Sequence, residues 1–180
     1  MLHALQIALL LIFPVLVTVG ALRDLTSFII PNWISLALIA GFAPAALAAG
    51  LGPAELGMHA GLGAAGLVLG MGMFAAGWIG GGDAKLFAAA ALWLGWPACA
   101  SFAAFTGLAG GGLALGLLAL RSAWVRPYIM NGPAWFGRLT APGENVPYGV
   151  AIAVGALAAF PGGDLMRAVS QVSEAAFSGR

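Results

Sequence analysis

Gly80-Gly81-Gly82-Asp83-Ala84-Lys85 interrupts a long apolar region and sets an acidic side chain between two segments of membrane length. An ionisable residue at membrane depth is costly, so it marks a functional site by default. Three successive glycines leave the backbone uncovered, so another chain can approach closely. Working outward, the polarity falls away at once on both sides. The protein has 180 residues, 62% of them hydrophobic and only 7% charged. Its mean hydropathy is +1.01, whereas soluble domains carry roughly 25% charged residues. A water-soluble fold of this size has too little interior to hide that much apolar surface. The chain reads as an all-α integral membrane protein, with membrane lipid as its surroundings.

The same composition excludes several functions. A net charge of +1 gives no basic patch dense enough to track phosphates, so nucleic acid is not expected as a partner. The single cysteine, Cys99, forms no internal disulfide and no multi-cysteine zinc site. His3 and His59 stand alone, without the clustered partners of a metal centre, and read as packing or interfacial residues. No cofactor or metal is expected. The N-terminus lacks a Lys or Arg n-region, and no A-x-A site precedes Arg23, so it reads as a retained membrane helix.

A crossing needs about 20 apolar residues to span roughly 30 Å of hydrocarbon. Ala4 to Leu22 meets this and ends at Arg23-Asp24. After Thr26-Ser27, Phe28-Ile29-Ile30-Pro31-Asn32 leads into a second helix from Trp33 to Ala49, with Asn32 expected to supply its cap. A turn around Gly50 to Pro53 precedes a third helix, Gly57 to Ile79. There Gly57 and Gly61, and Gly66 and Gly70, have the four-residue spacing that lets helix backbones pack closely in lipid. Ala84 to Leu120 is almost wholly apolar and would be roughly 55 Å long as one helix. It must break, and Trp96-Pro97 is the natural place. That leaves a short fourth helix over 84–95 and a fifth over 98–120, where Gly107, Gly111, Gly112 and Gly116 again suit close packing.

Arg121 to Val146 mixes Arg121, Arg126, Arg138 and Glu144 with Trp124, Tyr128, Trp135 and Phe136, as a segment at headgroup level does. A sixth helix starts at Pro147-Tyr148-Gly149 and ends by Phe160. A tail helix over 164–177, with Leu165, Val169, Val172 and Ala176 on one face, is expected to lie at the interface. The whole forms a single domain of six crossings.

Six crossings gather Arg23, Lys85, Arg121, Arg126 and Arg138 on one side and leave Arg167 and Arg180 on the other. The positive-inside rule makes the first side cytoplasmic and both termini external. Asp24 and Asp83 then share the cytoplasmic boundary, Glu144 lies in the long cytoplasmic connection, and Glu55, Asp164 and Glu174 lie outside. Two close carboxylates cannot both ionise cheaply. One accepts a proton from water while the other polarises a carbonyl, which suits hydrolysis of a peptide bond without a metal. Neither role is assigned to a particular aspartate. Lys85, two positions beyond Asp83, is expected to snorkel to the headgroups rather than to pair with it.

Asp24 with Ile30-Pro31-Asn32, together with the G-x-G-D pattern of Gly80, Gly82 and Asp83, resembles the two signature regions of type IV prepilin peptidases. Pro147-Tyr148-Gly149 is similar to a further motif of that family, and the likeness spans essentially the whole chain. The resemblance implies a G-x-G-D aspartic endopeptidase with Asp24 and Asp83 as its dyad. It implies Gly80, Gly81, Gly82, Pro31, Asn32, Lys85, Pro147, Tyr148 and Gly149 as residues that shape the site or bind substrate. Its substrates would be prepilins or pilin-like precursors, cut at the cytoplasmic face of a bacterial inner membrane between a short basic leader and an apolar helix. Pilus-assembly proteins are further partners it implies. Larger relatives carry an added cytoplasmic domain with paired cysteines and also N-methylate the cleaved pilin. This chain has no C-x-x-C pair, and so resembles the short, peptidase-only TadV/CpaA-like branch serving Flp-type pili of tight-adherence systems. The alternative from another class is a small transporter or ion-pathway subunit that uses Asp24 and Asp83 to bind or relay cations. A relay at the midplane and an internal repeat, which that reading favours, are not evident in the sequence.

Overall fold

The computed structural model describes residues 2–122, 124, 125 and 134–178. Arg126, Tyr128 and Arg180, which figured in the charge balance or the headgroup segment, lie outside the described residues. So do the side chains of Val172, Glu174 and Ala176. The described helices are α1 (Leu2–Ser27), α2 (Asn32–Ala49), α3 (Pro53–Ala75), α4 (Gly81–Leu94) and α5 (Ala98–Leu120), followed by α6 (Ala134–Leu139), α7 (Tyr148–Ala159) and α8 (Asp164–Ser178). A 3-10 turn, Phe160–Gly162, links α7 to α8.

Among the described residues, five stretches are long and apolar enough to cross a membrane: His3–Ser27, Asn32–Ala49, Pro53–Ala75, Ala98–Leu120 and Tyr148–Gln171. The chain is thus a multi-pass membrane protein, all-helical among the described residues. α4 is different. Its 14 residues reach only about 21 Å at 1.5 Å per residue, short of the hydrocarbon thickness. It is also the most enclosed helix, with Ala84, Leu86, Ala90, Ala91, Trp93 and Leu94 fully buried. Lipid contact matters less for a helix sheathed by its neighbours than for the outer ones. Trp93 fixes its depth: the indole Nε1 donates to the Leu38 carbonyl of α2 at 2.8 Å, and Phe13 of α1 stands 5.5 Å from its ring.

Several boundaries differ from the sequence expectation, each for a local reason. α1 does not stop at Leu22. Thr26 and Ser27 return their hydroxyls to the Leu22 and Arg23 carbonyls at 2.7 and 2.6 Å, and the Phe28 amide bonds the Asp24 carbonyl. The helix ends only at Phe28, whose φ of +56° is the left-handed conformation common just past a helix C-terminus. Asp24 therefore lies inside the last turn of α1, held by regular backbone, rather than after it. Asn32 does not cap α2: Pro31 occupies the cap position. α3 starts earlier, at Pro53, because the Glu55 carboxylate accepts the Gly52 amide at 2.7 Å. It also ends earlier, at Ala75. Gly77, with φ +74°, turns the chain and releases Gly77–Ile79 as a loop.

The paired glycines of α3 are not equivalent. A Cβ at Gly66 would stand 3.3 Å from the Ala88 Cα, and one at Gly70 would stand 2.9 Å from the Ala84 Cα, so α3 lies directly on the α4 backbone there. Gly57 and Gly61 have nothing within 4 Å. The same holds for Gly107, Gly111, Gly112 and Gly116 of α5; α5 and α7 come together instead at Gly110, against Tyr148, and most closely at Gly155, where an added Cβ would stand 2.7 Å from the Thr106 amide nitrogen. Gly70→Ala is expected to lower stability by about 1–3 kcal/mol through overpacking. Gly57→Ala is expected to be neutral or to stabilise by about 0.5–1 kcal/mol, as a helix-interior glycine in open space should. Thermal unfolding in detergent distinguishes the two.

α8 is not simply a surface helix. Leu165 and Val169 are buried against α1, α2 and α4, so its first half closes the end of the bundle opposite Asp24. His59 is fully buried at that end. Its Nδ1 pairs with the Leu92 carbonyl at 2.7 Å, and its Nε2 lies 3.5 Å from Asp164.

Candidate active site

Three helix termini meet at the other end of the bundle. The last turn of α1 presents Asp24, the first turn of α4 presents Asp83, and α7 begins with Tyr148-Gly149. Both carboxylates are almost enclosed, with Asp24 5% and Asp83 6% exposed. They line one cavity of about 490 Å³, whose wall also includes Phe28, Phe74, Trp78, Glu144 and Tyr148. A smaller adjoining space of about 170 Å³ lies between the same two aspartates, the Phe28–Ile30 turn and the three glycines. Among the described residues lining these spaces no lysine or arginine occurs, so the cavity is acidic. No group of three or more His, Cys, Asp and Glu among the described residues is arranged to hold a metal.

Each carboxylate is oriented by a backbone amide. Gly149 donates its N–H to Asp24 Oδ2 at 2.7 Å, linking α7 to α1 across the site. Gly80 donates to Asp83 Oδ2 at 2.9 Å, which is how an acid at the third position of a helix satisfies an otherwise orphaned amide. Asp83 Oδ1 is buried without a hydrogen-bond partner. A buried carboxylate oxygen left free in this way is available to water or substrate. Two carboxylates on one cavity, each held through one oxygen, can pass a proton to and from a bound water.

Close approach explains the glycines better than backbone freedom does. A Cβ at Gly82 would lie 3.0 Å from the Ile30 Cβ, and a Cβ at Gly149 would lie 2.8 Å from the Ile30 Cδ1. Ile30 is thus a wedge between the first turns of α4 and α7, setting the spacing of the pair. A Cβ at Gly80 would meet Asp83 Oδ2 at 3.0 Å, and one at Gly81 would lie 3.5 Å from the Phe74 ring. Pro147 is fully buried at the α7 cap position.

Not every expected residue meets the acids. Lys85 neither faces Asp83 nor extends freely towards the headgroups. Its Nζ donates to Asn32 Oδ1 at 2.9 Å, tying α4 to α2. This pair belongs to a neighbouring groove rather than to the acidic cavity. Several contributors went unrecognised as site residues in the sequence, the cavity-lining Phe28, Phe74, Trp78 and Glu144 among them. Ile30 lay within the quoted motif, but nothing in the pattern revealed its wedge. Arg121 carries no motif, yet it holds the wall in place: its guanidinium donates to the carbonyls of Leu139 (2.9 and 3.1 Å), Glu144 (2.8 Å) and Asn145 (3.0 Å). Arg138 lies 5.2 Å over the ring of Phe28. A run of arginines near aromatics signalled the segment but not this clamp.

No curated protein and no solved structure matches the chain. The description Type IV leader peptidase family matches residues 11–115, more than half of the chain, and that stretch includes both aspartates with their flanking turns. With a protease family matched across the two helix ends that carry the buried carboxylates, this multi-pass membrane protein belongs to the Type IV leader peptidase family.

Proposed function

We propose that the protein is an aspartic endopeptidase that removes the basic leader from prepilin-type precursors, with Asp24 and Asp83 as its dyad. One observation carries the reading: two acids distant in sequence are buried around a single cavity, each oriented by a glycine amide. The ionised member of the pair accepts a proton from water as the water oxygen attacks the scissile carbonyl carbon. The protonated member donates to the carbonyl oxygen. Collapse of the tetrahedral intermediate breaks the C–N bond, and the new amine takes up a proton from the pair. No covalent enzyme intermediate forms.

Charge supports a cytoplasmic site. Among the described residues, Arg23, Lys85, Arg121 and Arg138 belong to the acid-bearing end, against Arg167 at the other. The positive-inside rule then sets the cavity at the cytoplasmic face of a bacterial inner membrane, with six crossings if α4 and its flanking turns complete the fourth. The single cysteine supports the peptidase-only branch that serves Flp-type pili, in which the cleaved product stays unmethylated.

The test is co-expression with a pilin-like precursor, followed by its mobility and the N-terminal residue of the product. Wild type should shorten the precursor at one bond, and Asp24→Asn should leave it whole. A precursor untouched by well-inserted wild type sinks the reading and favours an ion pathway. Within the same assay, Arg121→Ala should raise KM for the precursor several-fold, because Glu144 and Asn145 lose the donor that holds them in the wall. Arg121→Lys should not restore it, since one ammonium cannot span three carbonyls. Unchanged KM in both variants would show that the clamp is dispensable.

A further inference from the structure

Beside the acidic cavity, α2 and α3 stand apart and leave a groove of about 580 Å³ floored by α4. Its walls are Ser35, Leu36 and Ile39 on one side and Gly63, Ala64 and Leu67 on the other. Leu36, Ile39 and Leu67 are exposed although large and apolar. The floor is made of Lys85, Ala88, Ala89 and Leu92. Gly81, Lys85, Ala88 and Leu92 recur at helical spacing, so this face of α4 runs without interruption into the glycine turn. Phe74, whose ring would stand 3.5 Å from a Cβ on Gly81, also lines the acidic cavity. Ile30, two residues before Asn32, lines the small space beside Asp83. Groove and cavity are therefore neighbours around the first turn of α4.

Resting on the peptidase reading, we infer that this groove seats the apolar helix of the precursor immediately after the scissile bond. Three features favour that occupant. A floor and wall of alanine and glycine let a helix backbone come close, which is how helices associate in lipid. The groove lies on the face of α4 turned away from Asp83, and Gly81 and Phe74 connect the two around the α4 N-terminus, so a chain cut at Asp83 enters it by passing over the glycine turn. Lys85 stands at its mouth with one hydrogen bond to Asn32 and two further N–H donors. That arrangement is complementary to an acid in the first turn of an incoming helix, where the helix dipole also favours negative charge.

The test uses the full-length protein in liposomes with two substrates. One is a complete pilin-like precursor, and the other is a soluble peptide with the same leader and scissile bond that stops before the helix. Ala64→Trp and Leu36→Trp fill the groove from its exposed walls and leave the acidic cavity alone. The expected result is a fall of at least about tenfold in kcat/KM for the precursor, carried by KM, with peptide cleavage unchanged. Equal losses on both substrates, or none on either, overturn the proposal. A photo-cross-linker at Ala64 in the inactive Asp83→Asn variant should capture the precursor helix. Capture of phospholipid alone, or of a second copy of this chain, also overturns it. Wild type that cuts neither substrate removes the peptidase reading and the groove's role with it, whereas Asp83-dependent peptide cleavage preserves the former whatever the groove does.

Discussion

Asp83→Asn should slow precursor cleavage by about a thousandfold or more, the range expected when a general acid or base is lost from a pair acting as a unit. The substitution keeps shape and volume. The amide oxygen can still accept the Gly80 N–H now held at 2.9 Å, so the first turn of α4 keeps its cap. The free oxygen, Oδ1, has no protein partner to lose. Insertion and thermal stability should therefore stay near wild type while turnover falls away. Asp24→Asn should behave alike, with its oxygen retaining the Gly149 amide, and the double variant should be scarcely worse than either single one. A time course with purified protein and precursor measures this directly. Cleavage by Asp83→Asn within tenfold of wild type would remove it from the dyad. Glu144→Gln is the useful control: it shares the cavity but lies in a connection rather than a helix end. Its effect should be far smaller.

Why the two aspartates were legible, and much around them was not, follows from what a single sequence encodes. A charged side chain in an apolar stretch is costly wherever it ends up, so Asp24 and Asp83 announce themselves before any fold is known. The break after α4 was equally open, because one helix from Ala84 to Leu120 would be too long for the membrane and Pro97 offers a stop. Helix–helix contacts are another matter. Gly57 and Gly61 have the same spacing as Gly66 and Gly70, yet only the second pair meets α4. Spacing gives a face but not the neighbour it meets. The length of α4 was hidden for a related reason. A helix sheathed by others needs no lipid-length apolar run, and its enclosure is a tertiary fact. Arg121 shows the same limit in polar form, since its partners are backbone carbonyls that any residue would supply. The end of α1 was misjudged because Arg23-Asp24 looks like a membrane boundary. Hydroxyls of Thr26 and Ser27 carry the helix one turn further, and that turn holds Asp24 in regular backbone.

Gly149→Ala should cut turnover by about a hundredfold, the loss that a misplacement near 1 Å can cause in a catalytic group. The added methyl would lie 2.9 Å from both Cβ and Oδ2 of Asp24 and 2.8 Å from the Ile30 Cδ1. Ile30 Cδ1 is the end of a flexible side chain and can give way, but the Asp24 Cβ is fixed to the last turn of α1. Something must move, and the carboxylate is the least constrained part, held through Oδ2 by the Gly149 amide. Displacing it breaks that bond and changes its position relative to Asp83. The effect should appear in kcat, with the precursor still bound, since the methyl enters the space between α1 and α7 and not the groove that faces α2 and α3. Gly111→Ala is the matched control, with nothing within 4 Å of its added atom, and should cleave like wild type. A Gly149→Ala enzyme that folds, inserts and turns over normally would mean that the spacing of these helix ends is not what sets the geometry of the pair.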